Sequence, residues 1–221
     1  MIIGNSTVWI DLSLPVFNGS PVFPGQPSPI LFPWTTLEFH PNATTAFFMI
    51  EHTGTHLDGP SHFVPHAPSI DQIPVDHFCG RCHTIDISAL SAGSLSETQL
   101  KLVIKEQKIE IERDDIVLLH TGVDRRYGKE GYFENYVGVS APAAQFLVDQ
   151  KIKGVGIDAP SIDHAPYDAH RIFLPSGIII YEFLTNLDQL VGRKTYFFGF
   201  PLKFEKCTGS PIRAVAALSP E

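Results

Sequence analysis

The sequence predicts an α/β fold rich in strands and built as a single domain. Three observations point there: apolar runs of strand length recur along the chain, a strand–helix–strand rhythm runs through its second half, and no repeat or linker-like tract divides its 221 residues. Hydrophobic residues make up 43% of the chain and charged ones 18%, enough apolar surface to offset the conformational entropy of folding.

The alternation Val8-Trp9-Ile10-Asp11-Leu12 predicts a first strand. Residues 13–45 follow as an arm in which Pro15, Pro21, Pro24, Pro27, Pro29 and Pro33 exclude regular structure. Phe47 to His52 reads as a buried strand running into a turn at Gly54, Gly59 and Pro60. Ser94 and Ser96, with Glu97 and Gln99 three residues on, are candidate caps for a helix through Leu100, Val103 and Ile104. Asp115 to Leu119 is then a buried strand, Ser140 and Pro142 open a helix over Ala143 to Gln150, and Gly154 to Asp158 is the next strand. That order implies a parallel pair joined by a crossover helix. Further strands are expected over Gly177 to Phe183, Lys194 to Phe200 and Ile212 to Ala217.

A formal charge of -8 with dispersed Lys and Arg supplies no cationic field for phosphates, so nucleic acid is not an expected partner. Met1 to Leu14 lacks a leader pattern, and no apolar run approaches the roughly 20 residues of a membrane span, so no membrane partner is expected. Three cysteines cannot all pair within one chain; reduced thiols and a cytoplasmic location are the simplest expectation.

Chemistry concentrates in His52-Thr53-Gly54-Thr55-His56-Leu57-Asp58-Gly59-Pro60-Ser61-His62. In an extended segment His56 and Asp58 share a face, and a bend at Gly54 brings His52 toward it. Two nitrogens and one oxygen then suit zinc or manganese, with a position left for water. His62, just past the Gly59-Pro60 turn, is placed as general acid and base. A purely structural ion would favour a closed, thiol-rich site, and this one has no thiol.

This segment resembles the signature His-x-Gly-Thr-His-x-Asp-x-Pro-x-His of the cyclase-like metal hydrolases, which include bacterial kynurenine formamidase and isatin hydrolase. All seven fixed positions match, and the likeness extends to Asp11-Leu12-Ser13, to 21–25, 118–122 and 156–163, and to 170–184. The resemblance implies a swivelling β/β/α fold, a mixed sheet or barrel-like strands with flanking helices, and a homodimer or homotetramer whose arm reaches the neighbouring site. It implies that His52, His56 and Asp58 bind a first metal and that His62 is catalytic. In the formamidase branch a later histidine and a glutamate twelve residues on complete a two-metal site, a spacing that His170 and Glu182 have; the isatin hydrolase branch uses one manganese, so one or two ions per subunit are implied. Formamidases carry a tryptophan as a substrate contact in the arm. Phe23 stands at that place, keeping the aryl face without the indole N–H.

The implied activity is hydrolysis of a small amide carbon–nitrogen bond in an aromatic or cyclic substrate, arylformamidase-like, by metal-activated water with a histidine acid and base. The alternatives are hydrolysis of a cyclic amide or lactone, and metal binding without catalysis. Other features carry less. Cys79-Gly80-Arg81-Cys82 has no second pair, His120 either lines the pocket or is packed and hydrogen-bonded, His164 reads as a solvated loop residue rather than a ligand, His40, His66, His77 and His83 have no partner pattern, and Ser61 lacks a nucleophile elbow. Tyr132, Phe133 and Tyr136 either wall a pocket or pack against the second helix.

Overall fold

A computed structural model of the chain describes residues 7–218. Met1 to Ser6, part of the Met1 to Leu14 segment over which no leader is expected, lie outside that range. In chain order the strands are β1 (Val8–Asp11), β2 (Ile30–Thr35), β3 (Thr44–Phe48), β4 (His56–Asp58), β5 (Cys79–Asp86), β6 (Gly93–Leu95), β7 (Ile116–His120), β8 (Val137–Val139), β9 (Gly154–Ile157), β10 (Ile179–Glu182), β11 (Thr195–Phe198), β12 (Gly209–Pro211) and β13 (Val215–Leu218). The helices are α1 (Glu97–Glu106), α2 (Ala141–Asp149) and the single turn α3 (His170–Phe173).

Nine strands form one mixed sheet in the order β1-β13-β11-β5-β7-β9-β10-β4-β12. Its centre, β5-β7-β9-β10, is parallel, and β7 connects to β9 through α2, the crossover expected from the sequence. Every residue of β7, β9 and β10 is buried, as a parallel strand covered on both faces requires. Alternation sends Val117, Leu119, Val155 and Ile157 into a core shared with Leu100 of α1 and Ala143, Ala144 and Leu147 of α2. Ile116, Leu118, Ile179 and Tyr181 enter the other core, with Leu57, Phe197 and Ala216. Tyr132 and Tyr136 pack into the first core, which settles their structural role.

Local chemistry accounts for the helix boundaries. The Ser96 hydroxyl accepts from the Gln99 N–H while the Gln99 side chain accepts from the Ser96 N–H, a reciprocal cap that starts α1. Ser94 lies within β6 instead. Ser140 accepts from the Ala143 N–H, and Pro142 stands in the first turn of α2, where its missing N–H costs nothing.

Two expectations for the arm are corrected. Residues 13–45 are not free of regular structure, because β2 pairs antiparallel with β3 as a two-stranded ribbon with Pro33 inside it. A ribbon of two strands has an unpaired edge on each side, so a residue without an N–H is tolerated. The expected buried strand over Phe47 to His52 ends at Phe48 and is exposed, with Phe47 at 58% and Phe48 at 56%. Its residues are apolar, but no second layer covers them in the single chain.

Replacing Ser140 by Ala is expected to cost about 1 kcal/mol of stability, through loss of the α2 cap, and replacement by Gly only a few tenths. Denaturant melts should show a lower midpoint at unchanged slope for Ser140→Ala; an unchanged midpoint would show that the cap contributes nothing.

Candidate metal centre and active site

The short strand β4 lies between β10 and β12, opposite the carboxyl ends of the parallel strands, where α/β sheets commonly place their ligands. Strand period puts His56 and Asp58 on one face, and the register sets His56 directly opposite Glu182. Gly54 takes a φ of +64°, the left-handed bend that returns His52 so that its ring centroid stands 5.2 Å from that of His56. Thr55 holds the bend: its hydroxyl accepts from the Leu14 N–H at 2.9 Å and donates to the Phe183 carbonyl at 2.5 Å. The twelve-residue interval from His170 to Glu182 is the length of α3, a turn closed at Gly177 and β10, which brings both side chains back to one centre.

Five donors therefore converge. His52 Nδ1 lies 2.7 Å and His56 Nε2 3.4 Å from Asp58 Oδ1; His170 Nε2 is 3.5 Å from Asp58 Oδ2 and 3.4 Å from Glu182 Oε1; His56 Nε2 is 3.7 Å from Glu182 Oε2. They form two groups with Asp58 common to both: His52, His56 and Asp58, then Asp58, His170 and Glu182. Atoms bound about 2.0–2.2 Å from one ion stand about 3.0–3.5 Å apart, so the 3.4 and 3.5 Å separations of the second group fit a divalent cation, whereas the 2.7 Å His52–Asp58 contact of the first is a hydrogen bond that an ion would have to replace. The far ring nitrogens fit as well. His56 Nδ1 is 2.8 Å from the Gly54 carbonyl and His170 Nδ1 is 2.7 Å from Asp163 Oδ1, contacts that turn each Nε2 toward the centre.

The field inside the pocket matches this chemistry. Burial would raise the Asp58 carboxyl, yet the charge of His52 and hydrogen bonds from His170, His52 and His56 hold it well below the usual carboxylate range. Burial would lower His170, but Asp163, Asp58 and Glu182 raise it well above an ordinary imidazole, and His56 is raised in the same manner by Asp58 and Glu182. Protons on these rings offset two buried carboxylates, and a divalent cation would do so with far less desolvated volume. His62 differs: burial, reinforced by His52 and His170, lowers it against the pull of Asp58 and Glu182, which keeps the ring neutral near pH 7. It sits at the end of the single 3₁₀ turn Pro60–His62, its ring centroid 4.0 Å from His52 and 6.4 Å from His170.

All seven site residues expected from the sequence, Phe23, His52, His56, Asp58, His62, His170 and Glu182, line one cavity of about 360 Å³. Gln26, Phe63, Pro160, Ser161, Tyr167 and Phe183 complete its walls, with Phe63 stacked on His170 at 4.8 Å. Asp163 was not anticipated as a partner of His170, although Asp163 seven residues before a histidine carried a usable signal. His120 and His164 lie outside the cavity walls. His120 donates into a buried cluster around Asp158, which also accepts from Thr121 and Gly122, and His164 packs on Tyr136 at 4.1 Å. Cys79, Cys82 and Cys207 are free thiols away from these donors.

A family model described as "Putative cyclase" matches residues 10–164. A kynurenine formamidase of Bacillus thuringiensis (strain Al Hakam) is 30% identical over 214 residues, covering 94% of this chain and 96% of the relative. One of Paracidovorax citrulli (strain AAC00-1) is 30% identical over 223 residues, covering 93% and 94%. Isatin hydrolase A from Labrenzia aggregata, solved with benzyl benzoate bound, superposes with a TM-score of 0.89 at 26% identity, covering 97% of this chain and 94% of that one. A potential metal-dependent hydrolase with cyclase activity superposes at 0.81 and 26% identity, covering 98% and 100%.

Gly209 on β12 backs the His52 ring: a Cβ there would stand 2.5 Å from His52 Cε1 and 2.6 Å from the Leu57 carbonyl. Since the backbone oxygen cannot yield, Gly209→Ala is expected to displace His52 and weaken zinc or manganese binding by at least tenfold, an outcome titration calorimetry on the metal-free protein would read. Wild-type affinity in this variant would show that the His52 position does not matter to the ion.

Proposed function

The chain belongs to the cyclase family, and from that membership we propose that it is a metal-dependent hydrolase of a small amide carbon–nitrogen bond, arylformamidase-like, acting on a substrate of the N-formylkynurenine type. The observation that carries the reading is the shared carboxylate Asp58, flanked by three imidazoles and Glu182, at the floor of a cavity with aromatic walls. His52, His56 and Asp58 would hold a first divalent ion, and His170 and Glu182, with Asp58, a second. Nitrogen and oxygen donors without a thiol favour zinc or manganese. When bound, the ion supplies Lewis acidity, polarising the substrate carbonyl and lowering the pKa of water from about 15.7 toward about 7.

The chain's own groups then have these tasks. His62, neutral and facing the donors, takes a proton from the attacking water at an imidazole nitrogen and delivers it to the departing amide nitrogen. Phe23, Phe63 and Phe183 border the cavity and hold an aryl ring by its faces and edges. The Gln26 side-chain carbonyl is buried without a partner and offers an acceptor to the substrate's N–H. Hydrolysis of a cyclic amide or lactone is the second reading, supported by the closeness in shape to isatin hydrolase A. Metal storage without catalysis would have no use for His62 beside the donors.

Residues 1–221 act as one hydrolase domain with 13–45 as its arm, in a homodimer or homotetramer. The apolar ribbon supports assembly: Trp34 is 70% exposed, Leu37 73% and Phe39 76%, more greasy surface than a lone domain leaves uncovered. A cytoplasmic location is supported by three unpaired thiols. No helix of the described residues is long and apolar enough to cross a membrane.

Elemental analysis of purified protein, followed by parallel assays on N-formylkynurenine and isatin, tests the reading. Turnover of the first with gain of water is expected; a protein that takes up no divalent metal would end it. His62→Ala should keep its metal and lose about 10²–10⁴-fold in kcat, whereas His56→Ala should lose the metal itself. An unchanged rate for His62→Ala at neutral pH would remove its assigned role.

A further inference from the structure

None of the side chains lining the cavity belongs to lysine or arginine, while Asp58 and Glu182 stand at its floor. Arg171 brings a cation up to the wall from outside. Its guanidinium carbon lies over the Phe63 ring, 5.3 Å from the centroid, and Phe63 faces the cavity. An aromatic face of this kind holds the planar group in place and leaves its N–H edge open to a ligand. Arg171 Nε makes one long contact with the Pro166 carbonyl, at 3.4 Å. Its two Nη groups have no hydrogen-bond or acidic partner among the described residues, Asp168 on the same turn included.

Tyr167 frames the same edge. Its ring lines the cavity and meets the Phe63 ring edge-on at 6.2 Å, and its carbonyl accepts from the Arg171 N–H, so the two residues stand one turn apart, both against Phe63. Its φ of +66° is a left-handed conformation that a bulky residue seldom adopts and that glycine would take without strain. What the tyrosine adds there is an aromatic ring in the cavity wall and a hydroxyl without a partner among the described residues. Phe63 and Tyr167 are half-buried and Arg171 is exposed, which places the trio where the wall meets solvent.

We propose that Arg171 and Tyr167 form a subsite at the rim of the cavity that takes a carboxylate carried by the substrate on a chain remote from the scissile amide. A guanidinium with unengaged Nη groups pairs with both carboxylate oxygens, and a phenol donates one further hydrogen bond. The inference rests on the formamidase-like reading and narrows it to aryl amides with an anionic side chain. A carboxylate drawn to the floor would meet Asp58 and Glu182, whereas one held at the rim keeps its charge beside a cation and in contact with water.

The test compares N-formylkynurenine with N-formylkynuramine, the same molecule without its carboxyl group, on the metal-loaded full chain. Wild type should favour the carboxylated compound in kcat/KM. In Arg171→Gln that preference should fall about tenfold, through KM rather than kcat. Arg171→Lys should keep part of it, and Tyr167→Phe, which retains the ring, should reduce it by a smaller factor. A loss in Arg171→Gln shared equally by the two compounds, a preference left unchanged, or a wild type that turns over both alike would each overturn the subsite alone. Wild type that turns over neither compound would overturn the formamidase reading, and the subsite with it.

Discussion

Asp58 is the constraint on which the structure turns. Its carboxylate is 1% exposed, it lies on a strand of three residues, and four other ionisable side chains crowd its two oxygens. An isolated charge in such a place is untenable; it must be balanced by protons, by a cation or by several hydrogen bonds at once. The surrounding architecture supplies all of these routes. Strand register brings His56 and Glu182 face to face, a left-handed glycine returns His52, and a single helical turn aims His170 from the far side. Each element is short because its task is to place one side chain, and the fully buried central strands β7, β9 and β10 carry the burial that keeps the placement rigid.

Much of this was legible in the sequence because its physical signals are local. Alternation, a bend-permitting glycine and a turn with proline define the 52–62 segment without reference to the rest of the chain. Capping chemistry at Ser96 and Ser140 marks the helix starts to within a residue or two. The parallel pair follows from one helix between two apolar runs. His170 and Glu182, by contrast, were tied to the centre only through a resemblance, since nothing local to residues 170–182 says that a helical turn and a strand fold back to the same point.

What the sequence hid is tertiary. Phe47 and Phe48 look like interior residues, and only the pairing of β3 with β2 alone shows that the ribbon has no covering layer. Pro33 looks incompatible with a strand until its partner turns out to be a two-stranded ribbon with free edges. Thr208 belongs to a stretch of residues with no pattern, yet pairing of β12 with β4 carries it to the back of a ring fixed 156 positions earlier. Asp163 is similar: a loop acidic residue by sequence, it receives the His170 ring N–H and the backbone N–H groups of Ala169 and His170 in the fold.

The three histidine supports are not equivalent, and the difference bears on how the two groups of donors share Asp58. His170 leans on a buried carboxylate, which increases the basicity of the nitrogen it presents; His56 leans on a backbone carbonyl, and His52 on a hydroxyl that passes its proton to a part-exposed Glu51. Donor strength therefore rises from the first group to the second. The second group also holds both carboxylates, Asp58 and Glu182, so its field for a cation is the stronger of the two. An ion in the first group would rely more on geometry than on charge, and Gly54 and Gly209 set that geometry around His52. The side of the centre nearest His62 is in this way the side with the fewer carboxylates, so a cation there would be held the more weakly of the two.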